Sequence, residues 1–320
     1  MRLIALEEAF WYEKLQTQGF ASGNQVPAKS DVVAGIGRRL ADFTELRLPE
    51  MDTYGVDMHV LSLTSPGIQI QSDTGVAVAD ARAANDYLAE VILKHPQRFA
   101  GLAALPTQDP DEAARELRRA VGLGLCGALV NDHTHGHYLD EPQYAPLWEA
   151  LQDLDVPLYL HPNPVSADAW TVLQGYPELD FATWSWAAKT AGHAMRLVFG
   201  GVFDRFPRAR IILGHMGEFL PFQLSRIDAA YVTFLEHRLE KLPSQYFQTN
   251  IAITTSGVFS HAALIAAIQE VGIDNVMFSI DYPFASTQKS VEFLLGAPLA
   301  PADKERVAYA NAERILRLDQ

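Results

Sequence analysis

Cysteine is almost missing: Cys126 is the only one in 320 residues. No disulfide can form within the chain, no thiolate cluster can hold a metal, and nothing points to a secreted, stapled scaffold. Positive charge is also scarce. Lys and Arg number 25 against 39 Asp and Glu, a formal net charge of -14, which opposes the phosphate neutralisation that nucleic-acid binding needs. No apolar run approaches the roughly 20 residues needed to cross a bilayer. The segment Met1 to Phe10 carries two acids in an apolar run and has no basic region or small-residue cleavage site, so no export signal is expected. These shortages predict a cytoplasmic protein with neither nucleic acid nor membrane as partner. With no Ser/Gly linker, low-complexity tract or break in composition, residues 1–320 are expected to form one domain.

What is present is a chain 48% apolar, with eight short β-type runs: Leu3 to Leu6, Met58 to Leu63, Phe99 to Ala104, Gly127 to Val130, Pro157 to Leu160, Arg210 to Leu213, Gln248 to Ile253 and Val276 to Ile280. Segments between them, such as Val76 to His95 and Asp111 to Leu123, place apolar residues on one helical face. Alternation of this kind predicts an α/β fold with a parallel sheet. Eight units fit a (β/α)8 TIM-like barrel, whereas doubly wound sheets more often use five or six strands. Two aperiodic stretches, about Tyr12 to Leu40 and Asn163 to Thr183, read as insertions after strands one and five.

In such a barrel the chemistry sits where the strands end. Strand one ends in Glu7-Glu8, strand five in His161-Pro162, strand six in His215-Met216-Gly217-Glu218 and strand eight in Asp281-Tyr282-Pro283. Neighbouring strand residues point to opposite faces, so one of Glu7 and Glu8 faces the mouth, and phase favours Glu7. Glu7, His161 and Asp281 together can hold one divalent cation, Mn2+ or Zn2+, with positions left open for substrate. Taken singly, each also reads as a solvated strand-end acid, a capped strand end or a turn cap. His215 and Glu218 are close enough for the carboxylate to orient the imidazole, which can then polarise or deprotonate a hydroxyl; a packed, hydrogen-bonded His is the plainer reading. His133 stands near the mouth and can touch a substrate, whereas His135 and His137 read as loop residues. His59, His95, His193, His237 and His261 are assigned no chemistry.

The segments Leu6-Glu7-Glu8-Ala9-Phe10, Leu160-His161-Pro162, Leu213 to Glu218 and Ser279 to Phe284 resemble the metal-dependent nonoxidative decarboxylases of the amidohydrolase superfamily. Asn85-Asp86-Tyr87, Arg98-Phe99, Leu105 to Pro110, Phe203-Asp204 and Pro221 extend the likeness along nearly the whole chain. These enzymes act on hydroxylated benzoates such as γ-resorcylate, 2,3-dihydroxybenzoate and 5-carboxyvanillate, and the aminocarboxymuconate-semialdehyde decarboxylases are relatives. Many members have Glu-x-His after strand one. Here the third position is Ala9, as in the 5-carboxyvanillate type, whose ligand set is one Glu, one His and one Asp. After strand one there is no His-x-His pair of the binuclear hydrolases, and no bridging carboxylated Lys is seen.

The resemblance implies a small aromatic carboxylic acid substrate, one divalent ion per chain, no organic cofactor, and a homodimer or homotetramer. It implies Asp281 as proton donor to the ring carbon bearing the carboxylate, His215 as polariser of the phenolic oxygen, and Arg226 as a binder of an anionic group. Phe10, Phe284, Trp170 and Trp186 are candidate walls for the ring. Two other readings are a metal-dependent hydrolase of a lactone or amide, with Asp281 as base, and a noncatalytic binding protein on a barrel scaffold.

Overall fold

Runs of Ile, Leu, Val and Ala that are apolar at every position suit parallel strands, because helices cover one face and the barrel interior the other. The computed structural model describes residues 1–17, 30–163, 170–236 and 238–318. Parts of both expected insertions, 18–29 and 164–169, and His237 lie outside the described residues. The strands are β1 (Ile4–Phe10), β2 (Met58–Leu63), β3 (Phe99–Gly101), β4 (Ala103–Ala104), β5 (Ala128–Asn131), β6 (Leu158–His161), β7 (Ile211–Leu213), β8 (Ile251–Thr254) and β9 (Val276–Met277). They pair in sequence order and in parallel.

β3 and β4 are halves of the run expected as one strand, Phe99 to Ala104. Leu102 N–H still donates to Leu61 O in β2, while Gly101 O accepts Cys126 N–H and Ala103 N–H donates to Gly127 O. The ladder therefore passes from one neighbour to the other at Leu102, and the sheet continues. A bridge between Leu6 and Ser279 brings the last strand back to the first. The fold is a (β/α)8 barrel.

Alternation sorts the side chains. Ile4, Leu6, Met58, Val60, Leu129, Tyr159, Ile212, Ala252 and Met277 form one interior cluster, with Ala312, Ile315 and Leu316 packed against it. Ala5, Leu61, Val130, Leu160, Leu213 and Ile253 belong to the larger core against the helices. Among those helices are α1 (Ser30–Ala41), α2 (Arg47–Tyr54), α3 (Thr74–Lys94), α4 (Pro110–Gly122), α5 (Ala145–Leu154), α6 (Ser185–Phe199) and α7 (Leu224–Phe234). α3 and α4 begin where Asp73 and Asp109 side chains accept first-turn N–H groups, the usual role of Asp at that position.

One irregularity in β1 positions the chemistry. Ala5 pairs with His59 but Glu8 pairs with Leu61, so β1 carries one residue more than its partner, a β-bulge. Glu7 sits in it with φ 65°. The expectation that Glu7 faces the mouth holds, but not by phase: strict alternation from the interior Ile4 and Leu6 would turn Glu7 outward and Glu8 inward. The extra residue reverses this, so Glu7 lines the cavity at the barrel mouth and Glu8 turns toward the helices. Glu8 is not a solvated acid, since it is 0% exposed. Beyond the bulge Ala9 lines the cavity and Phe10 points outward.

Candidate active site

Four side chains from four strand ends meet at the mouth. Glu7 comes from the bulge, His161 ends β6, His215 follows β7 and Asp281 follows β9. His161 Nε2 lies 3.3 Å and His215 Nε2 3.4 Å from Glu7 Oε1, and His215 Nε2 lies 3.9 Å from Asp281 Oδ2. The far side of each ring is held. His161 Nδ1 is 2.8 Å from Asn131 Oδ1 and 2.7 Å from Pro162 O, and His215 Nδ1 is 2.8 Å from Glu218 Oε1. Carbonyl and carboxylate oxygens accept, so this network assigns a proton to Nδ1 on both rings and turns both Nε2 atoms toward Glu7.

Glu7 Oε1 is buried and has no hydrogen-bond partner. An unpaired buried charge is costly, and a divalent cation among this carboxylate and the facing nitrogens removes the cost with a donor set that suits such ions. Ligand atoms of Glu7, His215 and Asp281 all lie within 4.8 Å of one another. His161, the histidine expected as ligand, falls outside that tightest triplet, although it is as near to Glu7 as His215 is.

The charges are strongly interdependent. Burial alone would raise the Glu7 carboxyl, but the positive charge of His215 and then His161 hold it down at about 2. Burial, then the negative charges of Glu7 and Glu218, push the Asp281 carboxyl well above the usual range, with His215 opposing. Burial lowers His215, but Glu7, Glu218 and Asp281 raise it well above an ordinary imidazole. Without a cation, then, the surroundings favour the protonated form of Asp281, and a bound cation pulls in the opposite direction.

Sequence reasoning missed the supports of Glu7. Tyr159 O–H donates to Glu7 Oε2 and stands 2.9 Å from Thr254 Oγ1. Tyr159 lies two before His161 on β6, so period-two alternation puts the two side chains on one face and places Tyr159 inside. Gly214 passes so close that a Cβ there would stand 2.7 Å from Glu7 Oε2 and 3.0 Å from Tyr159 Oη. Replacement Gly214→Ala is therefore expected to displace the carboxylate and weaken Mn2+ binding about 10-fold or more, read by calorimetric titration. Unchanged affinity would show that Glu7 has room to move.

The cavity wall is largely apolar. Trp186, Phe181 and Phe284 line it with Leu63 from β2 and with Val33 and Ile36, three residues apart on α1; Ser62, Thr64 and Ser65 add neutral polar groups. A second lobe shares Trp186, His215, Asp281 and Phe284 and extends to Phe219 and Phe222. Phe284 thus stands at the mouth, as expected, and is 41% exposed.

Other expected contacts are elsewhere. Phe10 does not line the cavity: turned outward after the bulge, it packs with ring centroids 6.0 Å from Phe43 and 6.4 Å from Tyr87. Trp170 is half-buried and outside the lining. Arg226 lies on the solvent face of α7, whose buried residues are Leu224 and Tyr231, and it lines neither lobe. His133 is also outside both lobes. Its ring packs 5.2 Å from Tyr138 and its Nδ1 accepts Gly136 N–H, because Asp132, at φ 53°, buries its side chain against His193 and Lys189 instead of carrying the chain on toward the mouth.

The amidohydrolase family model matches residues 12–318. The γ-resorcylate decarboxylase of Rhizobium sp. (strain MTP-10005) is 42% identical over 329 residues, 99% of this chain and 98% of that one. A crystal structure of the dihydroxybenzoic acid decarboxylase from Polaromonas sp. JS666, with bound manganese and the inhibitor 2-nitroresorcinol, superposes with a TM-score of 0.94 at 39% identity, covering 100% of this chain and 98% of that one. That of 5-carboxyvanillate decarboxylase from Sphingomonas paucimobilis gives 0.90 at 40% identity and covers 99% of each chain.

Proposed function

The chain belongs to the amidohydrolase family and is a metal-dependent carboxy-lyase of aromatic acids; from that premise we propose that its substrate is a benzoate with a hydroxyl ortho to the carboxylate. The observation that carries the reading is the union in one cavity of the Glu7, His161, His215 and Asp281 cluster with the aromatic walls Trp186 and Phe284. Glu7, His161 and Asp281 would hold one ion, manganese or zinc. When bound, it supplies the positive charge that fixes the carboxylate and the ortho oxygen.

The chain's own residues do the rest. Trp186 and Phe284 hold the ring and exclude water. His215 Nε2 accepts the hydrogen of the ortho hydroxyl, and Glu218 steadies the imidazole as it gains charge. Asp281 delivers its proton to the ring carbon that bears the carboxylate. A C–H bond forms there and aromaticity is interrupted; the C–C bond then breaks, its electron pair restores the ring, and CO2 leaves. His215 returns its proton to the phenolic oxygen of the product, and Asp281, left ionised, regains a proton from solvent before the next turnover.

The test is a panel of hydroxybenzoates, 2,6-dihydroxybenzoate first, incubated with Mn2+ while CO2 and the phenol are measured. Turnover of ortho-hydroxybenzoates, lost on chelation, is expected. Inertness toward the panel together with hydrolysis of lactones would overturn the reading. The two histidines separate by variant: His161→Ala is expected to weaken Mn2+ binding about 100-fold, whereas His215→Ala keeps the ion within about tenfold and loses turnover. The reverse pattern would exchange their roles. We further infer a cytoplasmic homodimer or homotetramer, supported by the paucity of cysteine and by apolar residues such as Phe222 and Phe234, 52% and 81% exposed.

A further inference from the structure

Glu8, unlike Glu7, has no place in the cavity, yet both of its oxygens are engaged. Oε1 accepts the N–H of Ile280 at 2.9 Å and Oε2 accepts the N–H of Tyr282 at 3.0 Å. Those two amides flank Asp281. The carboxylate is fully buried, and Arg47, also fully buried, provides the positive charge behind it from across the Tyr282 ring, with its guanidinium carbon 4.4 Å from the ring centroid.

The reason for this arrangement lies in the seam of the barrel. The first and last strands share one bridge, Leu6 with Ser279, beside the backbone bonds Leu6 N–H to Phe278 O and Ala9 N–H to Tyr282 O. The bulge that turns Glu7 inward also interrupts the ladder here. Backbone donors facing the gap need acceptors, and the Glu8 side chain supplies two, although burial pushes its carboxyl up to about 8 against the pull of those amides and of Arg47. Asp281, meanwhile, has φ 76°, a backbone conformation that an Asp holds only where its surroundings enforce it.

We propose that Glu8 is a positioning residue, whose carboxylate pins the Ile280 to Tyr282 backbone to the β1 bulge and so sets Asp281 in place opposite Glu7 and His215. It touches neither ion nor substrate. One structural accident, the bulge, thus aims the first acid at the cation and uses the second to aim the third. The inference rests on the reading of Glu7 and Asp281 as cation ligands.

A double-mutant cycle on Mn2+ affinity tests it, with Glu8→Gln, Asp281→Asn and the pair. Gln keeps the shape but turns an NH2 group toward one of the two backbone donors. E8Q alone is expected to fold, shown by circular dichroism, and to weaken Mn2+ binding 10- to 100-fold. In the D281N background the same change is expected to cost less than about threefold, because the group it positions is gone. A role confined to packing would give equal losses in both backgrounds, and that result overturns the proposal. E8Q affinity equal to the parent's also overturns it. If E8Q does not fold, Glu8→Asp, which retains the charge but reaches one amide at a time, takes its place in the cycle. Failure of both to fold assigns Glu8 to the barrel seam alone and again overturns the proposal. A parent chain that binds no Mn2+ overturns the metal reading itself, whereas a parent that binds and an E8Q that binds equally well overturn only the positioning role.

Discussion

Asp281→Asn is expected to lower kcat for an ortho-hydroxybenzoate by at least about 1,000-fold, the range for a positioned acid–base group, while substrate binding stays measurable. Asn matches Asp in size and leaves the backbone bonds at Ile280 and Tyr282 untouched, so the change removes a proton and a charge but no packing. No neighbouring acid can take over. Glu7 is held near 2 by the histidines around it, which leaves it ionised at any working pH, and Glu218 is tied to His215 Nδ1. Asp281, which unlike the buried Glu8 lines the cavity, is pushed upward by burial and by the charges of Glu7 and Glu218. Single-turnover measurements with Mn2+ saturating the site separate loss of chemistry from loss of ion. A kcat within tenfold of the parent's would remove Asp281 from proton transfer and send the search for a donor to His215.

The barrel was legible because its strands are short apolar runs at regular intervals, and the cluster was legible because polar residues end those runs. His161 ends its strand, His215 and Asp281 follow theirs within a few residues, and Glu7 interrupts the apolar run of β1. What escaped sequence reasoning depends on single departures from regular geometry. Period-two alternation cannot show a bulge, so the seam contacts that bury Glu8 were out of reach; the outward turn of Phe10 was within reach, because alternation from an inward Glu7 gives it. Tyr159 was within reach, lying in phase with His161, but an aromatic on a strand reads first as core. Arg226 differs in kind: its expected role came from likeness of motif, and helical phase on α7 puts it on the solvent face of this chain, where the buried positions are Leu224 and Tyr231.

Backbone strain concentrates where the chemistry is. Glu7, His215, Met216, Glu218 and Asp281 all have positive φ without being glycine, at a cost of about 1–3 kcal/mol each. Regular strand ends would splay these side chains to alternate faces. The left-handed kinks bring three carboxylates and two imidazoles to one point, and the buried core on both sides of the strands supplies the stability that holds them there.

Glu7→Gln is expected to weaken Mn2+ binding by at least about 100-fold, close to 3 kcal/mol at 1.4 kcal/mol per tenfold, and to abolish turnover at ordinary metal concentration. Glu7 Oε1 is the atom both imidazoles face, at 3.3 and 3.4 Å, so it is the one donor whose loss disturbs every pair in the cluster. The metal-free protein provides an independent check by NMR titration. The Glu7 charge raises both His215 and Asp281. Deleting it makes the imidazolium harder to form and the Asp281 carboxylate easier to form, so both groups should titrate at lower pH than in the parent. Downward shifts together with lost Mn2+ binding would place Glu7 at the electrostatic centre of the site. If Mn2+ binds as in the parent while the shifts still occur, Glu7 tunes its neighbours without holding the ion, and the ligand set reduces to the histidines and Asp281.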